Sequence, residues 1–244
     1  MRVALVTGGA TGIGAATVAA LAADKVSVAL QYSSSENEAK QISEQLNSKG
    51  LKVEIFRADL SQKDSVDKLV ANVQAKLGDI DILINNAGLM SDASIIEMSD
   101  ELWDQALNIN LTAAFKLIRA CAPSMVSKKW GRIINISSQV ALVGSANHAH
   151  YAAAKAGLLG LTYSAAKEYG ASGVTVNAVL PGRIQTNMIA QRSKGRLDEW
   201  LAQTPLNRLG KPEEVAGMIN FLASEMSSYV TGASINVNGG LVMG

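Results

Sequence analysis

The chain contains a single cysteine, Cys121, among its 244 residues. One cysteine cannot form an internal disulfide, so packing must stabilise the fold, and so low a cysteine content is typical of a reducing compartment. An excess of charge is lacking as well, since 22 Lys and Arg residues balance 21 Asp and Glu residues, for a net charge of +1. That balance argues against a nucleic-acid partner and against an acidic tail.

Long apolar runs and clustered metal ligands are also lacking. No run approaches the roughly 20 apolar residues that a membrane span needs. The strand-like run that begins at Val3 leaves no room for a charged leader before it. We therefore expect a cytoplasmic protein with no membrane partner. No cluster of His, Cys and carboxylate residues has the spacing of a metal site, so we expect no metal.

The sequence does contain a regular alternation of short β-branched runs with long alanine-rich stretches. The runs predict strands at residues 3–7, 26–30, 53–57, 80–84, 132–136, 174–179 and 234–237. Helical patterns lie between them at 13–23, 36–48, 61–76, 101–127, 151–169 and 212–223. Strands that are apolar on both faces and alternate with helices are typical of a parallel sheet covered on both sides. We therefore predict one α/β domain over residues 1–244, a three-layer, doubly wound Rossmann-type sheet of about seven parallel strands.

Three stretches are the least regular, at residues 88–100, 140–149 and 184–210, and each follows a strand. In open parallel sheets, ligands bind beyond the carboxyl ends of the strands. These three loops are therefore predicted to form the substrate site.

The first predicted strand leads into a glycine-rich loop, "TGGATGIG", at residues 7–14. Gly8, Gly12 and Gly14 leave the backbone free to turn tightly and to approach a pyrophosphate, and the next helix offers unpaired N–H groups and a positive dipole end. A plain tight turn is the alternative, because the spacing differs from G-x-G-x-x-G. The position of the loop, directly before a helix in a series of strand–helix units, favours dinucleotide binding.

The end of the second predicted strand bears on which dinucleotide is bound. An acidic residue there would bind the ribose hydroxyls of NAD and repel the 2′-phosphate of NADP. The chain instead has Tyr32, Ser33 and Ser34, with no acid before Glu36. These hydroxyl groups favour NADP. Because the glycine loop carries no Arg or Lys, NAD stays open as the alternative.

Tyr151 and Lys155 stand four residues apart in the fifth predicted helix. Residues at i and i+4 share a helix face, and a lysine cation beside a phenol lowers the pKa of the phenol from about 10. Such a tyrosine can exchange a proton with a carbonyl or an alcohol. Ser138 ends the strand before this helix and can reach the same edge of the sheet. Asn110 lies inside the preceding predicted helix. Because asparagine is a mediocre helix former, its presence there indicates a specific role for the side chain.

Taken together and in this order, these elements resemble the short-chain dehydrogenase/reductase family. The matching residues are Thr7, Gly8, Gly12 and Gly14, then 85–88, Asn110, Ser138, Tyr151 with Lys155, and Pro181, Gly182 and Thr186. They cover essentially the whole chain. The resemblance implies an NAD(P)-dependent oxidoreductase that interconverts a carbonyl and a secondary alcohol, with the hydride supplied by the cofactor.

The resemblance also implies a role for each residue. Tyr151 would be the general acid/base, Lys155 would tune it and bind the nicotinamide ribose, Ser138 would polarise the carbonyl, and Asn110 would hold a water that connects Lys155 to solvent. Asp59 would bind the adenine amine. The full set of implied cofactor-binding residues is Gly8, Thr11, Gly12, Ile13, Gly14, Tyr32, Ser33, Ser34, Asp59, Leu60, Asn86, Ala87, Gly88, Tyr151, Lys155, Pro181, Gly182, Ile184 and Thr186.

Within that family the chain is most similar to the bacterial 3-oxoacyl-[acyl-carrier-protein] reductases of fatty acid biosynthesis. The similarity includes "NRLGKPEEVA" at 207–216 and "YVTGASINVNGG" at 229–240. Two positions depart from that pattern: Ser172 replaces a basic residue that would meet the carrier protein, and Thr11 replaces an arginine of the glycine loop. Lys128 and Lys129 keep the other basic position. The alternatives are a free ketone, acetoacetyl-CoA, or a sugar or alcohol as substrate, and a dinucleotide-binding sensor or scaffold without chemistry.

Two further expectations concern the histidines and the assembly. His148 and His150 precede Tyr151, and we expect local hydrogen bonds for both, with substrate contact as the alternative. The predicted helices at 101–127 and 151–169 are apolar on more than one face, so a second subunit is expected to cover them. The family resemblance agrees with a homotetramer.

Overall fold

The computed structural model describes residues 1–192 and 195–243. Within these residues, seven parallel strands form one sheet in the order β3-β2-β1-β4-β5-β6-β7. The strands are β1 (Val3–Val6), β2 (Ser27–Tyr32), β3 (Val53–Arg57), β4 (Ile82–Asn85), β5 (Gly131–Ile136), β6 (Val174–Pro181) and β7 (Ser234–Val237). The strand order reverses between β1 and β4, which is the place where doubly wound sheets bind their ligands.

Helices cover both faces of the sheet. They are α1 (Gly12–Ala23), α2 (Glu36–Asn47), α3 (Ser65–Leu77), α4 (Asp100–Leu107), α5 (Ala113–Lys128), α6 (Val140–Val143), α7 (Ala149–Tyr169), α8 (Asn187–Arg192), α9 (Leu197–Ala202) and α10 (Pro212–Ala223). The apolar residues of α1, α2 and α10 pack on one face, and those of α3, α5 and α7 pack on the other. The predicted three-layer, doubly wound sheet is therefore confirmed. Strands β1, β4 and β5 are buried along their whole length, which explains their continuous apolar sequences.

Two predicted helices differ from the structure. The helix expected from residue 61 begins at Ser65, because the Asp59 carboxylate binds the backbone N–H and the hydroxyl of Ser61 and holds a turn there. The helix expected over 101–127 consists of α4 and α5, joined by a π-helical turn at Asn108–Thr112. Such turns accommodate one extra residue and are often found at functional sites.

The predicted loops at 140–149 and 184–210 contain helices, so the expectation of irregular structure there was wrong. Helix α6 lies in the first of them, and α8 and α9 lie in the second. Residues 193–194 of the second stretch lie outside the described residues. Helices α6 and α9 bury almost nothing, with Trp200 the single buried residue of α9. Because so short a helix carries no apolar stripe, periodicity could not predict it.

A buried polar chain links the sheet to α7. The Asn85 side chain donates a hydrogen bond to Asn135 Oδ1 (2.8 Å), and Asn135 Nδ2 donates to Thr162 Oγ1 (2.9 Å). Asn85 and Asn135 are register partners on β4 and β5. Because buried polar groups are costly unless they are paired, this series of hydrogen bonds fixes α7 on the strand ends that carry the candidate site.

Candidate active site

Tyr151 and Lys155 lie on the first two turns of α7, at the carboxyl edge of the sheet. Lys155 is 3% exposed, and its Nζ donates a hydrogen bond to the carbonyl oxygen of Ile136 (2.8 Å) at the end of β5. The same Nζ lies 5.6 Å from the centroid of the Tyr151 ring. The two side chains that sequence spacing predicted to share a face therefore lie close together.

Burial changes the acidity of the Lys155 ammonium group. Loss of hydration lowers the pKa of its ammonium group from 10.5 to about 8, because a low-dielectric site disfavours the charged form. The group is still mainly protonated at pH 7. The site therefore places a cation beside a half-buried phenol, where the cation stabilises a phenolate.

The end of β5 is fastened to the same helix. Ser137 Oγ donates to the backbone carbonyl of Lys155 (2.8 Å), which adds a second bond between this strand end and α7. Ser138 follows, half-buried, and its Oγ accepts a hydrogen bond from Val140 N (3.3 Å). Ser138 therefore lies at the strand end beside the helix that carries Tyr151, as the sequence predicted.

Asn110 lies in the π-helical turn, and its side chain binds a loop. Its Nδ2 donates to the carbonyl oxygens of Leu89 (2.9 Å) and Ala106 (2.9 Å), and its Oδ1 accepts from Leu89 N (3.1 Å). A Cβ atom on Gly88 would lie 2.9 Å from Asn110 Oδ1 and 3.5 Å from Lys155 Nζ. The glycine thus lets Asn110 and Lys155 approach one another, and the observed contacts of the Asn110 amide are with the protein backbone.

The glycine loop forms a cradle at the point where the strand order reverses. Gly8 and Gly12 have φ values of +61° and +52°, and a Cβ on Gly14 would overlap the carbonyl oxygen of Gly8. The side chain of Thr11 does not cap α1, so the first N–H groups of this helix are available to an anion. The cradle has the shape and the donors that a pyrophosphate requires.

The exit of β6 closes the other side of this cradle. Gly182 N donates to Val237 O (3.0 Å), and Ile184 is buried in a backbone bridge with Gly210. A Cβ on Gly12 would lie 2.9 Å from Thr186 Cγ2. The residues predicted for the nicotinamide end therefore lie directly against the glycine loop.

The predicted adenosine end lies beside β2 and β3. Tyr32 is 6% exposed and its ring packs in the core, whereas Ser33 and Ser34 are exposed. Asp59 is exposed, and hydrogen bonds from Ser61 lower the pKa of its carboxyl group, which keeps it ionised. Its oxygens accept from Ser61 N (3.0 Å), Ser61 Oγ (2.7 Å) and Gln62 Nε2 (3.3 Å).

Known proteins are similar to this chain in sequence and in fold. The family model described as enoyl-(acyl carrier protein) reductase matches residues 8–242. The chain is similar to a 3-oxoacyl-[acyl-carrier-protein] reductase of Staphylococcus epidermidis, with 38% identity over 98% of both chains. It is also similar to one of Salmonella typhimurium, with 41% identity over 99% of this chain and 98% of the relative. The chain belongs to the short-chain dehydrogenase/reductase family.

A solved structure agrees with this assignment. The crystal structure of a blue fluorescent protein from a metagenomic library, in complex with NADPH, superimposes with a TM-score of 0.94 and 40% sequence identity, and covers 99% of this chain and 98% of that one. As a short-chain dehydrogenase/reductase, the chain is an NAD(P)-dependent oxidoreductase that acts on CH–OH and C=O groups.

In this short-chain dehydrogenase/reductase, Gln31 was not predicted from the sequence, and Thr7 was predicted only as part of the glycine-loop match to the family. Gln31, 2% exposed, accepts from Gly8 N through Oε1 (2.8 Å) and donates from Nε2 to Ala58 O (2.7 Å), so it connects the glycine loop to the end of β3. Thr7 Oγ1 accepts from the backbone N–H groups of Asn86 (2.9 Å) and Ala87 (3.0 Å) and joins the ends of β1 and β4. One signal was available for Gln31: a glutamine within a buried strand must find polar partners.

The described residues contain neither a metal-binding cluster nor a membrane-spanning helix. In 1–192 and 195–243, no three His, Cys, Asp or Glu side chains are grouped so that they could hold a metal ion. Over the same residues, no helix has the length and apolarity that a membrane crossing requires.

Proposed function

We propose that this chain reduces a 3-oxoacyl thioester to the 3-hydroxyacyl thioester with NADPH. The observation that carries the proposal is the buried Lys155 ammonium, which lies 5.6 Å from the Tyr151 ring centroid beside the strand end that bears Ser138. Relatives named for this reaction cover nearly the whole chain at 38% and 41% identity. On this proposal residues 1–244 act as one dinucleotide-binding domain, and the stretches at 88–100, 140–149 and 184–210 form the substrate site.

The mechanism assigns each step to a side chain. When bound, the dinucleotide supplies a hydride to the carbonyl carbon. The Tyr151 hydroxyl donates its proton to the carbonyl oxygen as negative charge develops there. The Lys155 cation stabilises the phenolate that remains, and the Ser138 hydroxyl donates a hydrogen bond to the same carbonyl oxygen. On this proposal Asn110 helps to hold the water through which Tyr151 regains its proton.

The glycine cradle and the turn after β2 would hold the cofactor. The N-terminal N–H groups of α1, from Gly12 to Gly14, would hold the pyrophosphate, and Thr186, which lies against Gly12, would contact the nicotinamide end. NADPH would be preferred, because Ser33 and Ser34 offer hydroxyl donors to a 2′-phosphate and the turn after β2 has no acid before Glu36. Arg57 adds a cation that the sequence analysis did not consider, since it is the register partner of Tyr32 on the neighbouring strand.

Two positions of the chain bear on the acyl carrier. Ser172 offers no charge to a carrier protein. At the other predicted basic position, Lys128 lies in ion pairs with Asp81 (2.9 Å) and Asp79 (3.3 Å), and Lys129 is exposed. We propose the carrier-bound substrate because the similar reductases act on the acyl-carrier-protein form named for them.

A substrate panel tests the activity. Purified protein with NADPH or NADH is offered a carrier-bound 3-oxoacyl thioester, acetoacetyl-CoA, a simple diketone and crotonyl-CoA, and cofactor absorbance is followed. We expect NADPH-dependent turnover of the two 3-oxoacyl thioesters, fastest for the carrier-bound one. Turnover of crotonyl-CoA alone would indicate C=C reduction and contradict the proposal, and so would oxidation of NADPH with the diketone alone.

We further propose a cytoplasmic homotetramer. The outer face of α7 exposes small residues, Ala153, Ala156 and Gly160, and Tyr163 is 42% exposed on the same helix. Phe115 on the neighbouring α5 is 45% exposed. Small residues allow close helix approach, and exposed aromatic rings favour burial in an interface. Light scattering at micromolar concentration should give the mass of four chains, and a monomer mass would contradict this assembly.

A further inference from the structure

Both histidines of this chain hold a loop of the proposed substrate site against the turn that precedes Tyr151. His150 Nε2 lies 2.8 Å from Ser91 Oγ, and His148 Nε2 lies 2.8 Å from Asp92 Oδ1. The backbone N–H of Ala93 donates to Asn147 O (3.0 Å). Three consecutive loop residues, 91–93, are thus bound to the turn at 147–150. The mechanism described above uses neither histidine.

His150 is the buried member of this contact. Its exposed fraction is 0%, and burial lowers the pKa of its imidazole below 6.5, so the ring is neutral at pH 7. A neutral imidazole has one N–H donor and one acceptor nitrogen. Nδ1 has no hydrogen-bond partner among the residues that the structure describes. The bond to Ser91 is therefore the one described hydrogen bond of this buried ring.

The near end of the same loop is fixed by Asn110. That side chain binds both the N–H (3.1 Å) and the C=O (2.9 Å) of Leu89. The loop segment 89–93 is consequently held at both ends. One anchor is a proposed catalytic residue, and the other is the residue directly before Tyr151.

We propose that His150 is a positioning residue for the reaction. Through its hydrogen bond with Ser91 it holds loop segment 89–93 in a fixed place beside the turn of α7 that carries Tyr151, and this placement defines the substrate site. The inference rests on the proposed reductase function for its kinetic consequence. The loop contact itself is independent of turnover. A misplaced loop weakens the binding of the 3-oxoacyl substrate more than it slows the chemical step, and it leaves cofactor binding unchanged because the glycine cradle lies on other elements.

The test compares two serines of one loop. Ser91→Ala removes the partner of His150, whereas Ser94→Ala removes a hydroxyl that bonds to Glu97 within the loop and serves as the matched control. A neutral hydrogen bond contributes about 1 kcal/mol, or roughly fivefold in an equilibrium constant. Ser91→Ala should therefore raise KM for acetoacetyl-CoA about fivefold with a smaller change in kcat and an unchanged Kd for NADPH. Ser94→Ala should raise KM less than Ser91→Ala does, because the Ser94 hydroxyl bonds to Glu97 and not to the turn at 147–150.

Substitutions of His150 complete a double-mutant cycle. His150→Leu should raise KM as Ser91→Ala does, and the double variant should be no worse than His150→Leu alone, because both changes remove one bond. His150→Gln places an amide nitrogen near the position of Nε2 and should restore most of the KM. Additive effects in the double variant, or equal KM values for the two serine variants, would overturn the inference.

A second measurement is independent of activity. Hydrogen exchange of the Ala93 amide should be about fivefold faster in Ser91→Ala than in Ser94→Ala or the wild type, since one anchoring bond of the segment is lost. If the wild type reduces no carbonyl, the proposed function fails and this exchange rate alone decides the inference. Equal exchange in all three proteins would overturn it.

Discussion

Replacement of Lys155 by methionine should stabilise the cofactor-free protein while abolishing its activity. Methionine keeps the length and the apolar stem of the side chain and removes the charge. Burial lowers the pKa of the Lys155 ammonium from 10.5 to about 8. Because each tenfold change in an ionisation constant corresponds to about 1.4 kcal/mol, the buried cation lowers the free energy of unfolding by roughly 3 kcal/mol at pH 7.

The net gain is smaller, because methionine cannot donate to the carbonyl oxygen of Ile136. That hydrogen bond, 2.8 Å long in the wild type, contributes about 1 kcal/mol. We therefore expect Lys155→Met to raise the free energy of unfolding by about 2 kcal/mol at pH 7. Lys167→Met is the matched control, since Lys167 is exposed on the same helix, and it should change stability by less than about 0.5 kcal/mol.

The dependence on pH provides the sharper test. Between the folded pKa of about 8 and the unfolded value of 10.5, the unfolded chain retains a proton that the folded chain has lost. The stability of the wild type should therefore rise with pH across this window relative to that of Lys155→Met. Near the upper end of the window the order should reverse, because only the lost hydrogen bond then distinguishes the two proteins.

Urea unfolding of both proteins, at equal protein concentration and without cofactor, measures this difference at several pH values. Equal concentration matters because assembly contributes to apparent stability. A Lys155→Met protein that is less stable than the wild type at pH 7, with a difference independent of pH, would refute the reasoning. It would mean that the Lys155 cation is hydrated in solution rather than buried.

Three further predictions concern the site. Tyr151→Phe removes the proton donor and should lower kcat by about a hundredfold or more, with NADPH binding, followed by its fluorescence, unchanged; near-normal turnover would contradict the role of Tyr151. Ser33→Asp places a carboxylate at the proposed 2′-phosphate position and should reverse the preference for NADPH over NADH in kcat/KM, and an unaltered ratio would show that the turn after β2 does not select the cofactor. Gln31→Met leaves the Gly8 N–H without its side-chain acceptor, and we expect its Kd for NADPH to be about tenfold higher than that of the wild type. The Tyr151→Phe protein, which should bind NADPH as the wild type does, is the reference for this measurement.

Much of the fold was predictable because the information is local. Parallel strands buried on both faces require continuous apolar runs, and all seven runs correspond to observed strands. Tyr151 and Lys155 were predicted to share a face because helical geometry fixes positions i and i+4 wherever the helix lies. The short helices α6, α8 and α9 were missed because none has enough turns to carry a periodic signal.

The sequence by itself determined the order of strands and helices, the glycine loop before α1, and the common face of Tyr151 and Lys155. The tertiary structure decided how deeply Lys155 is buried. It also decided that the Lys155 ammonium group donates a hydrogen bond to Ile136 O. It also decided that Gln31 binds Gly8, that Asn110 binds Leu89 and that His150 binds Ser91, across 23, 21 and 59 positions of the chain. Hydrogen bonds form only within a few tenths of an ångström of their preferred length. Distances of that kind between remote residues depend on how whole elements pack, and a pattern along the chain records only which face each residue occupies.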